Sequence, residues 1–116
     1  MNDLTLQKAR AYEAEHGAAI TPAERPAYHM TPYVGWLNDP NGLCQIGDEY
    51  HVFYQWFPFG PEHGMKHWAH VTSEDLVKWE WSDQMLIPDQ EYEKNGCYSG
   101  NSIEADGKLY LYYTAN

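Results

Sequence analysis

Tyr50-His51-Val52-Phe53-Tyr54 and Leu109-Tyr110-Leu111-Tyr112-Tyr113 are the stretches that decide the fold. Both are rich in aromatic and branched residues of the kind that pack on a pleated surface, so both are expected to be strands. A two-residue turn signal precedes each, Gly47-Asp48 in one case and Asp106-Gly107 in the other, which makes each the second strand of a hairpin. The first strands are the runs Leu43–Ile46 and Tyr98–Glu104. The two strand–turn–strand units lie 59 residues apart, counted from Tyr50 to Leu109. A repeat of that period fits the four-stranded sheets of a β-propeller. It also fits an antiparallel sandwich with two similar hairpins, and periodicity alone leaves both open.

Outward from the hairpins, Trp68–Thr72 and Trp79–Leu86 are further expected strands, with Ser73–Val77 as a short helical turn between them. Residues 3–16 form an expected helix, capped by Asp3 and stopped by Gly17. Thr21-Pro22-Ala23-Glu24 has the pattern of a capping box with Pro at the first helical position. The expected architecture is all-β, with residues 1–28 a helical extension and residues 29–116 the β domain. A propeller blade takes roughly 40–50 residues, and closure takes at least about four blades. Residues 29–116 would then hold about one and a half blades, as expected of a truncated chain.

The composition narrows the function. Ten Tyr, five Trp and three Phe bring aromatic residues to 16%, which suits strands and surfaces that stack on flat ligands. The formal charge of −10 repels phosphate backbones and anionic lipid, so neither nucleic acid nor a membrane surface is an expected partner. No apolar run approaches the ~20 residues of a membrane span. The N-terminus lacks the basic and apolar regions of a signal peptide, and a cytoplasmic location is expected. Cys44 and Cys97 are expected as free thiols.

Trp36-Leu37-Asn38-Asp39-Pro40-Asn41-Gly42 is the sharpest local feature. Pro40 restricts Asp39 to extended backbone, and Asn41-Gly42 reads as a turn into a strand. Asp-Pro and Asn-Gly alone are only turn chemistry. With an amide and an indole beside it, the fixed carboxylate is a candidate nucleophile for a sugar. Gln55, at the end of its strand, can both donate to and accept from vicinal hydroxyls. Trp68 could stack on a sugar face, and Tyr98-Ser99 adds an aromatic ring and a hydroxyl. His63, His67 and His70 have helix-like ligand spacing, but a strand sends His67 and His70 to opposite faces, so no metal site is expected. No Gly-rich phosphate loop occurs, and no cofactor is expected.

From His29 to Asn116 the chain resembles glycoside hydrolase family 32, the invertase and sucrose-6-phosphate hydrolase family. The resemblance is carried by Trp36–Gly42, by Phe53-Tyr54-Gln55, and by His67-Trp68-Ala69-His70 followed by Ser73 to Trp79. Tyr98-Ser99-Gly100 and Leu111–Thr114 complete it. It implies a five-bladed β-propeller and a retaining β-fructofuranosidase acting on sucrose or sucrose 6-phosphate without a cofactor. It further implies Asp39 as nucleophile, with Trp36, Leu37, Asn38, Gln55, Trp68, Tyr98 and Ser99 as substrate-binding residues. The N-terminal helix and Tyr28–Pro32 are most similar to the intracellular sucrose-6-phosphate hydrolase branch. Ala69 stands where the family usually has Gly, and His63 where some relatives carry Trp. The family's R-D-P and E-C motifs, which bring the stabilising Asp and the general-acid Glu, do not occur in these residues. A sugar-binding remnant without the acid, and a related fructosyltransferase, are the alternatives. Lys66 is the one cationic candidate near the leaving-group side for a phosphorylated substrate.

Overall fold

The computed structural model describes residues 6–116, so the Asp3 cap lies outside the described residues. Both hairpins close on two-residue turns: β1 (Trp36–Ile46) and β2 (Glu49–Phe57) flank Gly47-Asp48, while β5 (Cys97–Ala105) and β6 (Lys108–Ala115) flank Asp106-Gly107. Gly47 has φ +60°, and Asp106 and Gly107 have φ +52° and +73°. These left-handed values are the ones that match a tight turn to the twist of its strands. β3 (His67–Ser73) and β4 (Glu80–Trp81) extend the first hairpin into a four-stranded antiparallel meander in the order β1-β2-β3-β4, and β5 and β6 form a separate two-stranded sheet. With α1 (Leu6–His16) the protein is mostly β with one helix.

Three elements depart from the sequence expectation. β1 begins at Trp36 rather than Leu43, so the Asp-Pro-Asn-Gly stretch lies inside a strand. The strand expected over Trp79–Leu86 pairs only at Glu80–Trp81, and Leu86 makes a lone bridge to Trp68. The helical turn expected over Ser73–Val77 is instead the end of β3 at Ser73 followed by a bend over residues 74–78. Ser73 Oγ accepts from the Leu76 N–H at 2.8 Å, the Asp75 carboxylate accepts from Val77 and Lys78, and Leu76 has φ +62°, which a helix does not allow. At Thr21, the expected box does form around a single 3₁₀ turn, Pro22–Glu24: the backbone N–H and the hydroxyl both donate to Glu24 Oε2 at 2.8 Å.

Alternation along β2 and β3 divides the core. Val52, Tyr54 and Trp56, with Ala69 and Val71, are buried against Ala9 of α1 and Val34, and Trp56 Nε1 donates to the Val34 carbonyl at 2.8 Å. On the opposite face Phe53 and Trp68 meet Cys97, Leu109, Leu111 and Tyr113 of the second hairpin. Each fully buried large side chain is worth about 1.5–3 kcal/mol. The four-stranded sheet thus lies between the helix and the second hairpin. Cys44 and Cys97 are unbridged, and burial, with Glu93 close by, pushes the Cys97 thiol up to about 12. Among the described residues, no helix is long and apolar enough to cross a membrane.

Two buried histidines sit on opposite faces of β3. His67 donates from Nδ1 to the Met65 carbonyl at 2.8 Å and is ringed by Trp56, Phe57 and Phe59. His70 stacks on Phe53 at 4.2 Å, and its Nε2 lies 3.1 Å from His51 Nδ1. Burial holds both imidazoles neutral, with pKa values lowered from 6.5 to about 4; the neighbouring His51 adds to the effect at His70. Between those two values the unfolded chain binds protons that the native state refuses. This contribution to stability is therefore complete above pH 6.5 and is lost as pH falls towards 4. Thermal unfolding followed across that window should show a falling midpoint, and His70→Gln, which cannot titrate there, should show a shallower fall than wild type. Parallel profiles would contradict this account.

Candidate functional site

Strand register creates the site. β1 pairs with β2 at Leu37–Trp56 and next at Pro40–Tyr54, which sets both Asn38 and Asp39 opposite the single residue Gln55. β5 pairs with β6 at Cys97–Ala115 and next at Gly100–Tyr113, which sets both Tyr98 and Ser99 opposite Thr114. Each is a β-bulge, and a bulge re-aims side chains that regular alternation would send to opposite faces. The two bulged pairs occupy equivalent places in the two hairpins, Asn38 with Tyr98 and Asp39 with Ser99. Their offset is 60 residues rather than 59, because β1 has a second irregularity between Asn41 and Cys44. Gly42, at φ +55°, sits in that irregularity, where a Cβ would come within 2.9 Å of the Phe53 ring.

The two bulges touch. Ser99 Oγ donates to Asp39 Oδ2 at 3.3 Å and accepts from Gln55 Nε2 at 3.1 Å; Gln55 Oε1 in turn accepts from Asn38 Nδ2 at 3.4 Å. Donors therefore run in one direction, from Asn38 through Gln55 and Ser99 to the carboxylate, and bonds so ordered polarise one another. Gln55 is buried, so its orientation is fixed, whereas Asp39 and Ser99 are exposed and reachable. Such an array can present an oriented carboxylate to an electrophile and meet hydroxyl groups with both donors and acceptors.

Asn41 was read from the sequence as a turn residue and missed as part of the site. Its side chain is 4% exposed and joins the two sheets: Oδ1 accepts from the Gly100 N–H at 3.1 Å, and Nδ2 donates to the Asp39 carbonyl at 3.1 Å. Gly100 is required at this crossing, because a Cβ there would collide with the Tyr112 carbonyl. Asn-Gly is ordinarily a turn signal, so only the pairing pattern could have revealed this role.

Of the sequence-predicted residues, Asn38, Asp39, Gln55 and Ser99 converge, with Tyr98 adjoining. Trp36 is half-buried at the rim, its ring meeting His63 edge-on at 4.9 Å. Leu37 packs against the helix-side core. Trp68, expected to offer a face to a sugar, has no exposed surface; it fills the layer between the sheets and donates from Nε1 to the Tyr98 carbonyl at 3.1 Å, bracing the second bulge. Among the described residues no three His, Cys, Asp or Glu side chains gather as metal ligands.

Residues 29–116 match the glycosyl hydrolases family 32 N-terminal domain. A sucrose-6-phosphate hydrolase of Klebsiella pneumoniae is 47% identical over 98 residues, covering 84% of this chain and 21% of that protein. The solved sucrose-6-phosphate hydrolase of Lactobacillus gasseri is 43% identical with a TM-score of 0.78, covering 98% of this chain and 23% of that one. A mutant Bombyx mori GH32 β-fructofuranosidase, solved in complex with sucrose, is 38% identical with a TM-score of 0.81, covering 96% and 23%. The chain belongs to glycosyl hydrolase family 32, and it spans under a quarter of the length of these relatives.

The Asn41 tether predicts a contrast between equivalent positions of the two hairpins. Asn41→Ala removes both hydrogen bonds of this buried amide, to the Asp39 carbonyl and from the Gly100 N–H, which should cost about 1–3 kcal/mol of stability. Asn101, which pairs with Tyr112 as Asn41 pairs with Phe53, is exposed, and among the described residues its side chain bonds only the neighbouring Ser102 N–H. Asn101→Ala should stay within about 0.5 kcal/mol of wild type. Urea unfolding of both variants makes the comparison, and equal losses would contradict the tether.

Proposed function

We propose that this member of glycosyl hydrolase family 32 forms the nucleophile-bearing part of a retaining β-fructofuranosidase acting on sucrose or sucrose 6-phosphate. The observation that carries the reading is the hydrogen-bonded chain Asn38–Gln55–Ser99–Asp39, which ends on an exposed, oriented carboxylate. Family membership and the sugar-cleaving names of the relatives supply the substrate class. In the same reading residues 1–28 are an extension, and residues 29–116 begin a five-bladed propeller whose first blade is the four-stranded sheet. β5 and β6 are the start of the second blade. A sugar phosphate is charged and does not cross bilayers unaided, which accords with action in the cytoplasm.

The chemistry needs no cofactor. Asp39 attacks the anomeric carbon of the fructosyl unit as the bond to the leaving oxygen breaks, and a carboxylic acid gives that oxygen its proton. A fructosyl ester on Asp39 results. The same carboxyl group, now ionised, takes a proton from water, which attacks the ester and releases fructose. Retention by this route places the two carboxyl groups about 5–5.5 Å apart. The second carboxyl belongs to the family's E-C motif, which does not occur in these 116 residues. Asn38 and Gln55 hold fructosyl hydroxyls, Ser99 aims the nucleophile, and Tyr98 and Trp36 border the sugar. Trp68 supports the site from beneath, and Leu37 through its backbone.

In the whole enzyme, Asp39→Asn should lower turnover of sucrose or sucrose 6-phosphate by several orders of magnitude, because an amide cannot form the ester. Its melting temperature should change little, since the carboxylate is exposed and, among the described residues, its one side-chain bond is to Ser99. Near-normal turnover in a folded variant would overturn the assignment.

A further inference from the structure

The loop between β2 and β3 touches both flanks of the site. His63 meets the Trp36 ring, and Lys66 Nζ stands 5.2 Å from the centre of the Tyr98 ring. Tyr98 directly precedes Ser99, whose hydroxyl lies 3.3 Å from the Asp39 carboxylate. The Lys66 backbone is pinned: its carbonyl accepts from the Cys97 N–H at 2.9 Å, and it bridges to Gly96 in parallel fashion. At Gly96, with φ +124°, a Cβ would lie 3.0 Å from the Lys66 nitrogen, so the close approach of the two backbones depends on that glycine. The anchor is rigid, and the four-carbon stem remains free to move its charge.

The charge of Lys66 is not spent on an ion pair. The chain carries seventeen Asp and Glu against seven Lys and Arg, yet no carboxylate is ion-paired with Lys66 among the described residues. Arg10 pairs with Glu13 and Asp83, and Arg25 is occupied by carbonyls and by the Tyr33 and Trp81 rings. Resting over an aromatic face is a weak use of an ammonium, worth only about 0.5–1 kcal/mol where exposed. A phosphate group, with two negative charges and three acceptor oxygens, is a far stronger partner for it.

We propose that Lys66 reads the phosphate of a phosphorylated fructoside, swinging from the Tyr98 ring to the anion as the sugar seats against Asp39. The inference rests on the fructofuranosidase reading above and adds a specificity residue to it. Lys66 takes no part in bond making; it selects sucrose 6-phosphate over sucrose through binding.

The test compares kcat and KM for the two sugars in the whole enzyme and in Lys66→Gln and Lys66→Arg. Loss of one charge-assisted hydrogen bond should lower kcat/KM for sucrose 6-phosphate about 10- to 100-fold, chiefly through KM. The selectivity ratio over sucrose should fall by a similar factor, and Lys66→Arg should retain most of it. Glucose 6-phosphate should also inhibit Lys66→Gln less than it inhibits wild type. An unchanged ratio overturns the proposal, as does an equal loss on both sugars, which would mean that Lys66 only props Tyr98. Wild type that cleaves both sugars without preference overturns the Lys66 assignment alone, whereas wild type that cleaves neither overturns the fructofuranosidase reading with it.

Discussion

The side-chain amide of Asn41 is the contact on which the geometry of the site depends. It lies between two sheets that share no backbone ladder, donating to the Asp39 carbonyl on its own strand and accepting from the Gly100 N–H on the other hairpin. The amide carries a donor and an acceptor on one short side chain, so it can do both at once. Asn41 is itself buried, and losing its amide would remove the partner of both backbone groups at once. Its consequence is that Asp39 and Ser99, sixty residues apart in the chain, stand within hydrogen-bond reach.

Packing sets the spacing that the tether then locks. Phe53 and Trp68 on one sheet and Leu111 and Tyr113 on the other fill the layer between them. The Trp68 N–H reaches through this layer to the Tyr98 carbonyl. Tyr113 donates its hydroxyl to the buried carboxylate of Glu93, which also accepts from the Gln90 N–H at 3.0 Å. Burial, that hydrogen bond and the nearby Glu93 charge all keep the Tyr113 hydroxyl protonated and donating. The Trp68 N–H and the Tyr113 hydroxyl each meet a partner across this apolar layer, so the bulges are held from below while the Asp39 and Ser99 side chains face solvent.

Much of the fold was legible because hairpins announce themselves. Gly47-Asp48 and Asp106-Gly107 between β-prone runs mark turns by a mechanism confined to a few residues, and the repeat from Tyr50 to Leu109 follows from period-2 patterning. The bulges were not legible. A bulge adds one residue to a strand without any compositional mark, and in β1 it fell where Pro40 and Gly42 read as loop. The second irregularity of β1, between Asn41 and Cys44, also hid the equivalence of Asp39 with Ser99, since β-strand repeats align only in register. Asp39 and Gln55 could be singled out by chemistry, but Asn41 could not, as its role exists only across two sheets. Trp68 was misread for a related reason: an indole that stacks on a sugar and one that fills a core look alike until burial is known.

In the proposed function, this scaffold holds the Asp39 carboxylate as a nucleophile that becomes covalently bonded to the sugar. Mass spectrometry of the whole enzyme, acid-quenched during turnover of sucrose 6-phosphate and digested, tests it most directly. The expected result is a mass increase of one fructosyl unit on the peptide that carries Asp39, absent from the Asp39→Asn variant. A fructosyl adduct on a peptide bearing a different carboxylate would contradict it, as would steady turnover that inverts the anomeric centre.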